Sequence, residues 1–596
     1  MVYSVVWMKE SNSVWLTEPS FHLKDETIAQ ASSSDLNLFS NRDYRTDYSD
    51  YVTVTLSDGG SAADGAGVSV SGSTVTITQE GTYLLTGTLS DGQIQVSVPD
   101  TDKVQLVLDN ASITSQNSAA LYILEADKVF LTTAAGTENL LASAGEYVAI
   151  DENNIDGAVF SKTDLTMNGE GLLTVTSQTG HGVVCKDDLK ITSGSYDITA
   201  ARDGLSANDS IRIAAGDISI QSGSDGMEAS SDKEGEGYIY ILSGTFDITC
   251  ENDGIQASSD LSIVNGSFAI TAGGGQVNGP EHMDFWGMPN FGGFASENAW
   301  EEAEEDYTGS DSHKGLKSDT RIAILGGSFR LDTADDALHS NGEILISDGT
   351  FHITSGDDGI HADVNVTVDG GVIEIAQSYE GIEGHEILIS GGEISIVSED
   401  DGFNACGGGF GWYGGGSGSS LPQLRFTGGT VTVNAAGDGL DSNGDLIVDG
   451  GLIVVDGPTN SSNGALDSGT ESGGKLQVNG GTLIAIGASG MAETFGSTSA
   501  QNSMRVNLSS TQAAGTQITI AAEDGTVLFT HTSAKTFNSI VFSSPDLVQG
   551  ETYQVTVGSE TTTVTLNSVS TSTGSGGGMG GMGGPGGMGG GPGGRP

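Results

Sequence analysis

The sequence predicts an all-β fold: a right-handed parallel β-helix of about 22 residues per coil with a small C-terminal β cap. Three observations predict it. A short acidic-glycine motif recurs at a fixed interval, apolar residues alternate between its copies, and the composition favours strands and tight turns. Glycine contributes 91 of 596 residues, proline only 10, and aromatics 6%. That balance excludes collagen and Pro-rich linkers. Length alone would suggest about four domains, but a repeat overrides that inference.

The motif is Asp-Gly or a near equivalent. Its second residue falls at Gly157, Gly182, Gly204, Gly226, Gly254, Gly315, Ala337, Gly359, Gly381, Gly402, Gly439 and Gly464. The base interval is 22, and intervals of 28, 61 and 37 mark insertions. Stacking the units aligns five apolar columns. They read Ile322, Ile344, Val366, Ile387; Ile324, Ile346, Val368, Ile389; Phe329, Phe351, Ile373, Ile394; Leu331, Ile353, Ile375, Ile396; and Leu316, Leu338, Ile360, Ile382, Phe403. Period-two alternation broken by turns implies three short strands per unit. One unit cannot bury its apolar side alone and must stack on the next. Parallel strands about 4.8 Å apart would make roughly 15 coils into a rod of about 70 Å, with right-handed connections. A propeller or sandwich would need a period near 40 or irregular spacing.

Residues 1–65 read as a poorly structured lead-in, 66–499 as the β-helix, 500–568 as the cap and 569–596 as a disordered Gly/Met-rich tail. The cap contains an expected hairpin around Asp524-Gly525. Two insertions, at 273–314 and 406–420, carry aromatics, including Trp286, Trp412 and Tyr413. Both are expected to leave the coil after the strand that follows Asp-Gly, and so to emerge on one side of the rod.

Consecutive coils bring carboxylates to one turn: Asp335 and Asp336, Asp357 and Asp358, Glu380, then Asp400 and Asp401. Asp203, Asp225 and Asp253 occupy the same position in earlier coils, and Asp438 extends the column. A single Asp-Gly is ordinary turn chemistry. Doubled acids stacked about 4.8 Å apart repel, by several kcal/mol per pair at an effective dielectric near 20. Hard oxygen donors in a regular array suit Ca²⁺, so Asp335, Asp336, Asp357, Asp358, Glu380, Asp400 and Asp401 are the candidate metal ligands. The outward column beside them runs Ser206, Glu228, Gln256, Lys317, His339, His361, Glu383, Asn404, Asp441. Lys317 stands there as a partner for an anionic ligand or an ordinary solvated lysine. His339 and His361 read as a surface pair able to hydrogen-bond a sugar. These residues, with Glu383 and the three insertion aromatics, form the candidate carbohydrate-binding set.

The net charge of −58 argues against nucleic acid and anionic membrane as partners. No apolar run is long enough for a transmembrane helix. Cys185, Cys250 and Cys406 make neither a disulfide framework nor a C-x-x-C zinc pair and read as buried thiols. The first 30 residues hold one short apolar stretch, Val5 to Met8, so no secretory leader is evident.

The strings KGLKSDTRIAILGGSFRLDTADDALHSNG, SGDDGIHAD, SYEGIEG and EDDGFNACGGG resemble a family of bacterial carbohydrate-binding domain-containing proteins. GTYLLTGTLSDGQIQVSV and SSPDLVQGETYQVTVG resemble the same family's first coils and terminal cap. The resemblance implies a right-handed parallel β-helix similar to pectate lyases, with bound calcium. It also implies binding of cellulose and acidic plant polysaccharide such as polygalacturonate outside the cell. On that basis the start of the chain is expected to be misassigned or shortened. The expected function is extracellular, calcium-dependent polysaccharide binding by a monomer. The alternatives are a calcium-dependent polysaccharide lyase using Lys317 as base and a structural adhesin.

Overall fold

The structure, a computed structural model, describes residues 38–280, 282, 312–406 and 421–574. The fold is all-β. Strand after strand pairs in parallel with the strand one coil before it and the strand one coil after it. A representative coil comprises Leu338–Ser340, Glu343–Ile346 and Thr350–Ser355. These pair with Leu316–Ser318, Arg321–Ile324 and Ser328–Thr333 of the preceding coil. Three parallel sheets therefore run along the molecule, consistent with a β-helix.

The apolar columns are the pairing partners. Leu316, Leu338, Ile360, Ile382 and Phe403 lie in register. So do Ile322, Ile344, Val366 and Ile387, and Phe329, Phe351, Ile373 and Ile394. All point into one continuous core. Phe246, Phe268, Phe329 and Phe351 stack ring on ring at 4.6, 4.8 and 4.5 Å. The coil spacing brings the rings to the offset-stacking distance that aromatics favour.

The glycine of Asp-Gly has a packing role that the turn reading misses. A Cβ at Gly226 would lie 2.4 Å from the Gly254 carbonyl oxygen and 2.5 Å from Ile248 Cγ2. Coil-on-coil approach, not a left-handed backbone, favours glycine in this column, where Ala337 is the one substitute.

Four sequence expectations are corrected. Strands begin before residue 66: Val52–Leu56 pairs in parallel with Gly81–Leu89. Residues 38–45 lie across several coils. Leu38 and Phe39 are buried with Tyr240. Buried Asp43 ion-pairs with Lys128 at 3.2 Å and accepts from Thr166 Oγ1 at 2.8 Å. A polar composition concealed this latch because its partners are more than 80 residues away in sequence. The insertions leave from different corners. The first follows Ser267–Ala272 and precedes Leu316–Ser318, whereas the second follows Phe403–Ala405 and precedes Gln423–Phe426. Any exposed corner can lengthen without disturbing the ladders. Finally, Ser570–Thr573 pairs in parallel with Ser503–Gln512, so order extends past 569.

At the C-terminal end, antiparallel pairing takes over where Thr482–Gly487 meets Phe537–Ser543. Beyond it, Gln517–Ala522, Val527–Thr532, Thr552–Val557 and Glu560–Thr565 form an antiparallel sheet with the hairpin expected at Asp524-Gly525. Its core includes Ile484 and Ile486 of Thr482–Gly487, which also pairs in parallel with Leu452–Asp456.

Candidate functional site

The acidic ladder lies at the turn from the third strand of one coil to the first strand of the next. One carboxylate oxygen of its Asp residues ties adjacent coils together. Asp225 Oδ1 accepts the Asp253 N–H at 2.9 Å, Asp253 Oδ1 the Lys314 N–H at 2.8 Å, and Asp336 Oδ1 the Asp358 N–H at 3.0 Å. Asp358 Oδ1 accepts the Glu380 N–H at 3.3 Å. Asp401 Oδ1 accepts the Asp438 N–H, and Asp438 Oδ1 the Gly464 N–H. A buried amide thus finds its partner in the side chain one coil earlier. Asp203, Asp225, Asp253, Asp336 and Asp358 are all buried.

Three of the residues that precede a column glycine are not acidic: His181, Lys314 and, at the end of the run, Asn463. His181 Nδ1 lies 2.8 Å from Asp203 Oδ2. Lys314 Nζ lies 2.6 Å from Asp335 Oδ2 and 3.4 Å from Asp336 Oδ2. Lys314 was not among the sequence candidates, yet it gives the ladder a cation of its own. Burial pushes the Asp336 carboxyl up, but Lys314, a hydrogen bond with His339 and the nearby His361 outweigh it and hold the group well below the usual carboxylate range. Burial would lower the Lys314 ammonium, but Asp336 and Asp335 raise it.

Away from Lys314 the balance reverses. Burial, then Asp253 and Asp203, push Asp225 up to about 8. Burial and Asp203 push Glu228 up to about 7. Burial and the neighbouring acids Asp438 and Asp400 push Asp401 up to about 9. Asp357 rises to about 7 by burial and by Asp336 and Asp335. Asp358 and Glu380 are raised well above their ordinary values, first by burial and then by acidic neighbours.

Among the described residues, four sets of ligand atoms converge within 4.8 Å. Asp203, Asp225 and Glu228 form one, and Asp335, Asp336 and Asp357 another. Asp336 with His339 and His361, and Asp358 with His361 and Glu383, mix oxygen and nitrogen. The all-oxygen donor sets fit a hard cation such as Ca²⁺; the imidazole-containing ones suit it less. At Asp335 and Asp336 the Lys314 ammonium already supplies positive charge. The Asp203–Asp225–Glu228 set escaped the sequence analysis because its acids stand singly at the turn, and Glu228 lies on the neighbouring strand.

The remaining candidates are distributed as follows. Glu380 accepts from Asn404 Nδ2 with both oxygens, at 3.1 and 2.9 Å. Asp400 Oδ2 accepts from the Tyr379 hydroxyl at 2.9 Å. Glu383 Oε1 accepts from Cys406 Sγ at 2.8 Å, and Cys406 is half-buried, unlike the buried Cys185 and Cys250. Lys317 Nζ is 2.9 Å from buried Asp253 Oδ2, so it is neither a freely solvated lysine nor one held open for a ligand. The two histidines are likewise tied down. His339 Nδ1 lies 2.8 Å from Asp336 Oδ2, His361 Nδ1 lies 3.5 Å from Asp358 Oδ2, and the rings meet edge to face at 4.9 Å. Burial would lower His361, but the Asp336 carboxylate, 3.7 Å from its Nδ1, raises it to about 9. Trp286, Trp412 and Tyr413 lie outside the described residues.

A family model of carbohydrate-binding domain-containing proteins matches residues 71–359. A carbohydrate-binding domain-containing protein of Acetivibrio thermocellus is 39% identical over 136 residues, 22% of this chain and 48% of the relative. The match therefore spans about half the length of that relative. A solved structure described as a polysaccharide lyase-like protein from C. thermocellum, a gadolinium derivative, is 35% identical. It covers 38% of this chain and 92% of its own, with a TM-score of 0.37. Over residues 71–359, then, the chain matches the carbohydrate-binding domain-containing family that its repeat strings resemble.

Proposed function

We propose that this chain is an extracellular protein that binds polysaccharide in a calcium-dependent way, with polygalacturonate or cellulose as the ligand. The fold in this reading is a right-handed β-helix of about 22 residues per coil, closed by the antiparallel sheet as a cap. The observation that carries it is the convergence of buried carboxylates along one edge of the helix. The raised proton affinities of Asp225, Glu228 and Asp401 mark charge that a cation would relieve. Asp203, Asp225 and Glu228 are the strongest holders, with Asp357, Asp358, Glu380, Asp400 and Asp401 continuing the row. When bound, calcium would supply positive charge to which a uronate carboxylate can attach. The family match supports polysaccharide as the partner. Among the described residues no helix is long and apolar enough to cross a membrane.

The lyase alternative requires Lys317 as a base, and its ammonium faces Asp253 instead. Affinity electrophoresis through polygalacturonate and cellulose-derivative gels, with calcium and then with chelator, tests the proposal. Retardation on polygalacturonate that disappears with chelator is expected. Retardation indifferent to chelator defeats the bridge, and a chelator-sensitive melting temperature without glycan retention favours the adhesin.

A further inference from the structure

The third sheet carries one irregularity that the repeat does not predict. Val372–Ser378 has seven residues, whereas Thr350–Ser355 and Glu393–Ser398 on either side have six. The register slips between Ile353 and Thr354 on one side and between Ile375 and Ser378 on the other. This is a β-bulge, a device that re-aims a side chain. Its product is Gln377, which lines a cleft of about 540 Å³ together with Gln276, His282, Tyr379 and Glu399. The volume falls within the range of natural small-molecule sites, about 300–1,000 Å³.

The opposite wall is pinned in place. Gly279 rides directly over Gly356, and a Cβ on Gly279 would lie 2.5 Å from the Gly356 Cα. The Gln276 N–H donates to Asp332 Oδ1 at 2.8 Å. His282 stacks face to face on Tyr379 at 3.7 Å and 9°, with its Nε2 3.1 Å from the Gly356 carbonyl oxygen. Both cleft walls are therefore built, not incidental.

We propose that this cleft, between residues 276–280 with His282 and the bulged strand bearing Gln377, binds uncharged sugar residues of a polysaccharide. Gln377 Nε2 donates to Glu399 Oε1 at 3.0 Å, which sets a carboxamide and a carboxylate side by side. Adjacent hydroxyls of a sugar ring can donate to the carboxylate and exchange hydrogen bonds with the carboxamide. The Glu399 carboxylate gives the cleft its negative charge. Like-charge repulsion therefore excludes a uronate and selects a neutral sugar.

The inference rests on the polysaccharide-binding reading and deepens it by adding a second, calcium-independent subsite. It is tested on the full chain by affinity electrophoresis in gels containing hydroxyethylcellulose, xyloglucan or galactomannan, with chelator throughout. Retardation in at least one gel is expected. Gln377→Ala and Glu399→Ala should weaken it about tenfold or more, the loss expected when a hydrogen bond to a charged group disappears. Glu399 is exposed and Gln377 half-buried, and unchanged melting temperatures would exclude misfolding. Calcium-dependent retardation on polygalacturonate should survive in both variants. Wild-type passage through every neutral gel, or retardation untouched by both substitutions, overturns the cleft. If polygalacturonate with calcium also fails to retard the protein, the broader reading falls as well.

Discussion

Replacing Lys314 with methionine keeps most of the aliphatic stem and removes the ammonium from between two coils. In the wild type that ammonium lies 2.6 Å from Asp335 and 3.4 Å from the buried Asp336. At an effective dielectric of 20, a single such pair corresponds to about 5 kcal/mol of attraction before desolvation is counted. Removing one partner of a buried pair costs about 3–5 kcal/mol net, because the other charge stays behind. The variant should lose that much stability in chelator at neutral pH. The sign of the pH dependence follows from Asp336. Its folded value lies below the unfolded 3.8, so its contribution is present above 3.8 and is lost as pH falls through the folded value. In the variant that contribution is absent, so the gap from wild type should be widest near neutrality and shrink on acidification. Calcium should stabilise the variant more than the wild type, since the vacated charge becomes an additional reason to bind it. Thermal or urea unfolding across pH, with and without calcium, measures all three effects. A variant that melts like the wild type in chelator at pH 7 would refute the claim that Lys314 neutralises the ladder.

The pH dependence of the calcium-free wild type has a definite sign. Asp225 and Asp401 have folded values near 8 and 9 against 3.8 unfolded. Between those limits the native state holds more protons, so stability should fall as pH rises from 5 to 9, by up to about 1.4 kcal/mol per unit and group. His361, raised to about 9, acts in the same direction. A melting temperature that climbs over that range in chelator would contradict the assignment. Phe268→Ala opens the middle of the phenylalanine stack and should cost about 3–5 kcal/mol in denaturant unfolding; a loss under about 1 kcal/mol would show that the stack repacks. Lys317→Ala strands buried Asp253 and should destabilise by about 3 kcal/mol while leaving calcium-dependent retardation on polygalacturonate within a few-fold of wild type. A selective loss of glycan binding at unchanged stability would restore Lys317 as a ligand contact.

The columns of the core were legible because alternation and interval are properties of each unit, and stacking only repeats them. Phe329 above Phe351 can be read from spacing alone. The ladder was half legible. The positions of Asp336, Asp358 and Asp401 follow from the same spacing, but their charge state depends on what stands above and below, and Lys314 changes the sign of one rung. The Asp43 latch and the Gln377 bulge were not legible. The first is a long-range polar contact with no periodic trace. The second is one extra residue, hidden because the turn after it, Tyr379-Glu380, is one residue shorter than Gly356-Asp357-Asp358, so the interval stays at 22.

Calcium uptake by chelator-stripped protein, measured by titration calorimetry or equilibrium dialysis, addresses the ladder most directly. Saturable binding is expected at millimolar calcium or below, reduced in an Asp225→Asn/Glu228→Gln variant and again when Asp401→Asn is added. Protein that stays calcium-free at millimolar concentrations, with its carboxylates simply protonated or hydrated, would contradict the account.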